Sequence, residues 1–305
     1  MSDLVLPPLD KKALRTAFTR AAPHYDAAAV LQREIADRLL ARLDYMRITP
    51  QRVLDLGCGT GYATGQLAQC YRQAQITGLD LAHAMTQAAQ RRTQSPWPFG
   101  LGRFLNRNSF VTADAEALPF GDASFDLIFS NLALQWCDPD AVFRECRRLL
   151  RPGGLFLFTT FGPDTLKELR SAWRAVDPGL HVHEFIDMHD LGDALVRARF
   201  ADPVMDVEPL TLTYKDVPAL LRDLKAIGAH NAAAGRRATL TGKTQFARFV
   251  QAYEIFRNSD GHLPASYETV FGHAWAPLAG PAMATNVQGQ AVISLKHLRR
   301  ARGER

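Results

Sequence analysis

Three glycines at alternating positions, delivered by a short apolar run and preceded by an acid, constrain this chain more than any other feature: Val53-Leu-Asp55-Leu-Gly57-Cys-Gly59-Thr-Gly61. A side chain on such a loop would keep a ligand away from the backbone and forbid the dihedrals of so tight a turn. Residues 52–56 therefore read as a strand, the glycines as the loop beyond its carboxyl end, and residues 64–71 as a helix packed against it. The same grammar repeats downstream. Strands are expected at 75–79, 109–113, 125–130 and 155–161 and helices at 82–92 and 140–150, with Arg151-Pro-Gly-Gly154 as a helix stop. Strands alternating with helices require crossover connections, which implies an α/β fold with a mostly parallel sheet covered on both faces.

Either side of this core the pattern changes. Apolar residues at helical spacing from 10 to 43, interrupted near Pro23, predict two helices joined around Ala22-Pro23-His24. Beyond Phe161 we expect helices at 164–176 and 188–199, separated by a polar loop rich in histidine, then a strand at 204–214. Helices at 216–229 and 244–257 and a final strand at 267–276 complete the pattern. The resulting domain plan is a helical arm (1–45), a main domain (46–280) with lid elements about 162–187 and 215–265, and a basic tail (281–305).

No apolar run approaches the roughly 20 residues of a membrane span, and the N-terminus lacks the basic-then-apolar order of a signal peptide, so a cytoplasmic protein is expected. Neither a membrane nor a nucleic-acid partner is expected. Cys58, Cys70, Cys137 and Cys146 are scattered and read as free thiols. Of the formal charge of +5, much lies in Lys296, His297, Arg299, Arg300, Arg302 and Arg305. These form either a solvated tail or, with Arg144, Arg147, Arg148 and Arg151, basic patches that steer an acidic partner.

The loop departs from the nicotinamide fingerprint, because the third glycine of G-x-G-x-x-G is Tyr62 here and Gly61 falls one residue early. A diphosphate would also be repelled by an acid ahead of the glycines. The amino-acid end of S-adenosylmethionine carries an ammonium, which the Asp55 region favours. Asp80, ending the second strand beside Leu81, is placed to accept both ribose hydroxyls, although an N-cap role fits it as well. Asp114, beside Ala115, is placed to accept from an adenine amino group or simply to close a turn. Asn131 ends the fourth strand, and Gln135-Trp136 follow it.

These residues resemble the class I S-adenosylmethionine-dependent methyltransferase family over about residues 50–161. The resemblance implies a seven-stranded Rossmann-like sheet with one antiparallel strand near its edge and no metal. Arg20-Ala-Ala-Pro-His24-Tyr25-Asp26, Ser130-Asn-Leu-Ala-Leu-Gln-Trp136-Cys137, Phe158-Thr-Thr-Phe161, Arg222-Asp-Leu-Lys225-Ala-Ile-Gly228-Ala-His-Asn231 and Leu240-Thr241 are similar to the malonyl-acyl carrier protein O-methyltransferases. That similarity implies methylation of the free carboxylate of a malonyl thioester, on carrier protein or coenzyme A, giving the ester that primes pimelate synthesis for biotin. A malonyl carboxylate is already ionised near neutral pH, so no general base is expected.

Arg222 and Lys225 share one helix face and are candidate cations for the acyl substrate; an exposed face is the plain alternative. Tyr25 and Trp136 are candidates to position the methyl group, against roles as packing aromatics. His181 and His183 have a spacing that suits a metal but lack a third ligand, so they read as a polar loop. Arg147, Arg148, Arg170 and Arg174 are available for a basic rim. Two rival readings stand beside this one. Phe161-Gly-Pro-Asp-Thr-Leu-Lys-Glu-Leu-Arg170 and Tyr253-Glu-Ile-Phe-Arg257 are similar to NADH dehydrogenase assembly factors that modify a protein arginine. A non-catalytic cofactor-binding scaffold is the other.

Overall fold

A computed structural model describes residues 9–93, 108–229, 232, 241–278, 284–285 and 291–292. His230, Asn231, Leu240 and the basic side chains of the 281–305 tail lie outside the described residues. The helices are α1 (Lys11–Ala21), α2 (Tyr25–Ala28), α3 (Val30–Arg42), α4 (Tyr62–Cys70), α5 (His83–Thr93), α6 (Pro139–Leu149), α7 (Lys167–Arg174), α8 (Met188–Arg197), α9 (Val217–Ala226) and α10 (Lys243–Tyr253). The main-sheet strands are β1 (Arg52–Leu56), β2 (Gln75–Asp80), β3 (Ser109–Thr112), β4 (Phe125–Asn131), β5 (Leu150–Phe161), β6 (Ala201–Tyr214) and β7 (Leu263–Trp275).

The seven strands form one sheet in the order β3-β2-β1-β4-β5-β7-β6. The first five pair in parallel, and β7 runs antiparallel between β5 and β6. Side chains alternate across a strand, so β1 sends Val53 into one core and Leu54 and Leu56 into the other. The first core lies under α3, α4, α7, α9 and α10; the second lies under α6 and α8. The order reverses direction at β1, which opens a crevice at the carboxyl ends of β1 and β4 where doubly wound sheets bind ligands.

Several boundaries differ from the sequence expectation, four of them with a visible cause. The arm holds three helices, because the single turn Tyr25–Ala28 closes on itself through Ala29 N–H to the Tyr25 carbonyl before α3 begins. Strand β5 begins before 155: α6 stops at Leu149 ahead of Arg151-Pro-Gly-Gly154, Leu150 is already extended, and the glycines sit inside a bulged β5, Gly153 at φ +77°. Helix α7 starts late because residues 164–166 are tied to β7, Asp164 N–H donating to Glu268 Oε2 (2.7 Å) and Leu166 N–H to the Ser266 carbonyl (2.6 Å). Strand β7 begins at Leu263 because its ladder with β6 continues to the Tyr214–Leu263 pair. Among the described residues no helix is long and apolar enough to cross a membrane.

Candidate functional site

The glycine loop folds back on β2. Gly57 and Cys58 N–H both donate to the Leu79 carbonyl (2.8 and 2.9 Å), and Gly59 N–H donates to Asp80 Oδ2 (3.0 Å). At Gly57 (φ +77°) a Cβ would lie 2.3 Å from the Ala133 Cβ, so the residue is held bare by its neighbour. At Gly59 (φ +53°) a Cβ would meet nothing within 4 Å; the space above it is open. Asp80 has both oxygens engaged, Oδ1 accepting from Ala82 N–H (2.8 Å). That bond closes a turn ahead of α5 rather than capping it, since Ala82 precedes the helix, and the same residue also lines the crevice. Burial pushes its pKa up to about 6.

Around this loop lies a cavity of about 90 Å³ lined by Gly57, Gly59, Asp80, Leu81, Asp114, Ala115, Asn131, Tyr25 and Trp136 together with α1 residues such as Lys11 and Phe18. Nine of the eleven residues expected to hold the cofactor or position the methyl group thus share one wall, although they span more than 100 positions of sequence. Asp55 and Gly61 do not reach it. Asp55 is 1% exposed beneath the loop, accepts from Thr64 Oγ1 (2.5 Å), and is pushed by burial up to about 7. Gly61 (φ +82°) lets α4 approach α5: a Cβ there would sit 2.9 Å from the Ala89 Cα.

Several participants were invisible in the sequence. Lys11 pairs with Asp114 (3.1 Å) and Glu116 (2.6 Å), bolting α1 over the cavity. Asp26 ties α2 to the glycine loop by accepting from Thr60 Oγ1 (2.6 Å) and pairing with Arg92 (2.7 Å). That contact sets Tyr25 beside Asp80; burial, then Asp80 and Asp26, raises the phenol pKa, so the hydroxyl stays protonated. Asn131 is fixed by its own hydrogen bonds, accepting from Thr159 Oγ1 (2.9 Å) and donating to the Gln32 carbonyl (3.0 Å).

Trp136 also lines a second cavity, about 310 Å³, walled by Phe161, Leu169, Trp173, Leu221, Leu224 and Tyr267, with His181, His183 and Lys225 among its polar members. Of the two candidate cations, Lys225 reaches this cavity. Arg222 is exposed on α9 and does not line it. His181 and His183 are cavity residues rather than members of a solvated loop, and among the described residues no cluster of three metal-ligating side chains occurs.

The arginines expected at a basic rim divide: Arg170 and Arg174 are on α7, which walls the second cavity, whereas Arg147 and Arg148 are not near it. Helix α6 returns from the carboxyl end of β4 to the amino end of β5, so its last turn lies at the far end of the sheet from the glycine loop. There Arg148 binds Asp122, Glu145 and the Phe120 carbonyl, and Arg151 pairs with Asp126. Arg170 donates to the Pro163 and Thr165 carbonyls. All four cysteines are free thiols.

Comparison with known proteins adds three findings. A family model described as a methyltransferase domain matches residues 54–158. The malonyl-[acyl-carrier protein] O-methyltransferase of Laribacter hongkongensis (strain HLHK9) is 54% identical over 273 residues, covering 89% of this chain and 91% of the relative. That of Gallionella capsiferriformans (strain ES-2) is 53% identical over 288 residues, covering 93% and 96%. Among solved structures, the YcgJ protein of Bacillus subtilis superposes with a TM-score of 0.53 at 20% identity, covering 80% of this chain and 99% of that one. The last likeness concerns the fold alone.

Proposed function

Because the chain belongs to the malonyl-[acyl-carrier protein] O-methyltransferase family, we propose that its two cavities receive the two reactants of that transfer and that Trp136 marks where they meet. The protein is an S-adenosylmethionine-dependent carboxyl O-methyltransferase. The observation that carries the spatial part is the shared wall: one cavity gathers Asp80, Asp114 and the bare Gly57–Gly59 backbone, the other is apolar, and Trp136 belongs to both.

The residues suit the cofactor. Asp80 accepts from the ribose hydroxyls, Asp114 from the adenine amino group once Lys11 withdraws, and the open space over Gly59 lets the ligand lie on the backbone. Asp55 acts from beneath the loop, by its charge when ionised. Once bound, S-adenosylmethionine supplies a methyl group made electrophilic by its sulfonium. What remains for the chain is to orient an acyl carboxylate that is already ionised and to keep water out. Trp136 and Tyr25 bound the methyl position, and Lys225 stands at the acyl cavity.

The described lining of the second cavity includes no carboxylate, which a guanidinium acceptor would require, so the arginine-modifying alternative finds no support there. The carrier-protein thioester is the acceptor; the coenzyme A thioester presents the same carboxylate and serves as a second one. The neutral ester formed is the primer for pimelate and biotin synthesis.

The test is turnover with S-adenosylmethionine and, in parallel, malonyl-carrier protein, malonyl-coenzyme A and acetyl-carrier protein. Both malonyl thioesters should yield methyl ester and the acetyl thioester none. Absence of ester from either malonyl acceptor contradicts the reading, and cofactor binding without turnover on any acceptor would favour a scaffold.

A further inference from the structure

One buried group of the acyl cavity has no task in this scheme. His183 lies in the irregular segment between α7 and α8 and is 6% exposed. Its ring lies against Trp136 (centroids 5.9 Å apart, 22° between planes) and edge-on to Phe185 (5.4 Å). Nε2 is 3.1 Å from the Gln135 carbonyl oxygen. A carbonyl only accepts, so Nε2 carries the proton and Nδ1 of the neutral ring holds a bare lone pair. Sealed from solvent, Nδ1 has no hydrogen-bond partner among the described residues. An unpaired buried nitrogen is a standing cost that the right ligand relieves. Of the other cations, Lys225 is exposed at the cavity, Arg222 does not line it, and Arg170 is engaged with the Pro163 and Thr165 carbonyls.

We propose that His183 recognises the acyl carboxylate, gaining a solvent proton as the carboxylate binds, donating from Nδ1–H to one carboxylate oxygen, and releasing the proton when the neutral ester departs. This rests on the malonyl thioester reading. The charges balance at each stage. On binding, imidazolium and carboxylate neutralise one another inside an apolar chamber. In the transfer, a carboxylate oxygen forms the new C–O bond while the methyl–sulfur bond breaks and sulfur keeps the electron pair. The ester left behind is uncharged, and a buried imidazolium opposite it is unstable, so the proton leaves. A single N–H engages one oxygen and leaves the other free to attack.

The surroundings favour such a cycle. Burial holds the free imidazole below its ordinary value, with Arg170 opposing protonation and the Gln135 carbonyl and Glu184 favouring it. Around the same cavity the ionisable groups are His181, Lys225 and Tyr267. His181 lies 3.0 Å from Asp177, and burial keeps the Tyr267 hydroxyl protonated. The carboxylate's charge thus arrives with the substrate and is lost in the transfer.

The experiment is the KM for malonyl-carrier protein at saturating cofactor from about pH 6 to about 8.5, in the wild type and in His183→Gln, which keeps an N–H donor but does not titrate. In the wild type, KM should rise by up to about tenfold per pH unit above the pKa of the free imidazole, with the cofactor kept saturating at every pH. The variant should show a flat profile. Calorimetry of malonyl-carrier protein binding to wild-type enzyme loaded with S-adenosylhomocysteine, in two buffers of different ionisation enthalpy, should register proton uptake. A pH-independent wild-type KM, binding without proton uptake, or an unchanged slope in His183→Gln overturns the proposal; if the variant does not fold, the wild-type calorimetry decides. Normal ester formation with a flat profile sinks the histidine role alone, whereas no ester at all sinks the acceptor reading first.

Discussion

In the proposed scheme Asp80 does two things with one carboxylate: it holds the loop through Gly59 and Ala82, and it receives a sugar. Its pKa, pushed up to about 6, means that lowering the pH through that value protonates the acceptor before the cofactor arrives. Affinity for S-adenosylmethionine should therefore fall below about pH 6. Asp80→Ala should weaken binding by about 10–100-fold at neutral pH, the scale of losing hydrogen bonds to a charged acceptor; titration calorimetry reads both effects. Asp55 has the opposite bearing on stability. Its pKa is raised in the fold, so its contribution is fully present below its ordinary value of 3.8 and lost as pH rises through about 7. Asp55→Asn should accordingly gain on the wild type in thermal melts between those two values, and parallel melting curves would contradict the burial argument. The glycines separate fold from ligand in the same way. Gly57→Ala should lower Tm, because its methyl meets the Ala133 methyl, whereas Gly59→Ala should cost about 1 kcal/mol of strain and lose cofactor affinity disproportionately.

Among the elements, α1 is the one that must move. The cavity beneath it is smaller than the roughly 300–1,000 Å³ usual for ligand sites, and Lys11 occupies the acid expected to meet adenine. Cofactor binding therefore requires α1 to give way. The Lys11 pairs are half-buried, so their release is worth about 0.5–1 kcal/mol, and Lys11→Ala should speed cofactor association about two- to fivefold. Stopped-flow fluorescence can follow it, since Trp136 lies edge-on to Phe18 of α1 (5.8 Å). An unchanged association rate would mean that the latch is not rate-determining. None of this latch could be read from sequence, because Lys11 and Asp114 are 103 residues apart and neither belongs to a local pattern with the other. That Gly57, Gly59 and Asp80 stand at the crevice was legible for the opposite reason. A strand that ends in glycines, and another that ends in an acid, declare themselves within a few residues. The bulge in β5 was missed because Pro152-Gly153-Gly154 has the composition of a helix stop whether the chain turns there or continues extended.

At the scale of the whole molecule, the alternation of strands and helices was enough to forecast a mostly parallel sheet, and the family resemblance supplied the seven strands and the antiparallel one, β7, which lies one place in from the edge. The acyl cavity was not foreseeable in the same way. It is assembled from α3, the turn at Trp136, α7, the histidine segment, α9 and β7, and only their packing distinguishes Lys225, on the wall, from Arg222, three residues away and off it. Lys225→Ala should raise KM for the acyl substrate severalfold and leave cofactor affinity unchanged, with Arg222→Ala the milder of the two; equal effects would move the acyl group off this cavity. The account as a whole stands on where the methyl group goes. Enzyme supplied with S-adenosylmethionine carrying a deuterated methyl should place that methyl on the free carboxylate of malonyl-carrier protein, located by fragment mass spectrometry and released as labelled methanol on mild alkaline hydrolysis. Label on a protein side chain, or on any malonyl atom other than a carboxylate oxygen, would contradict it.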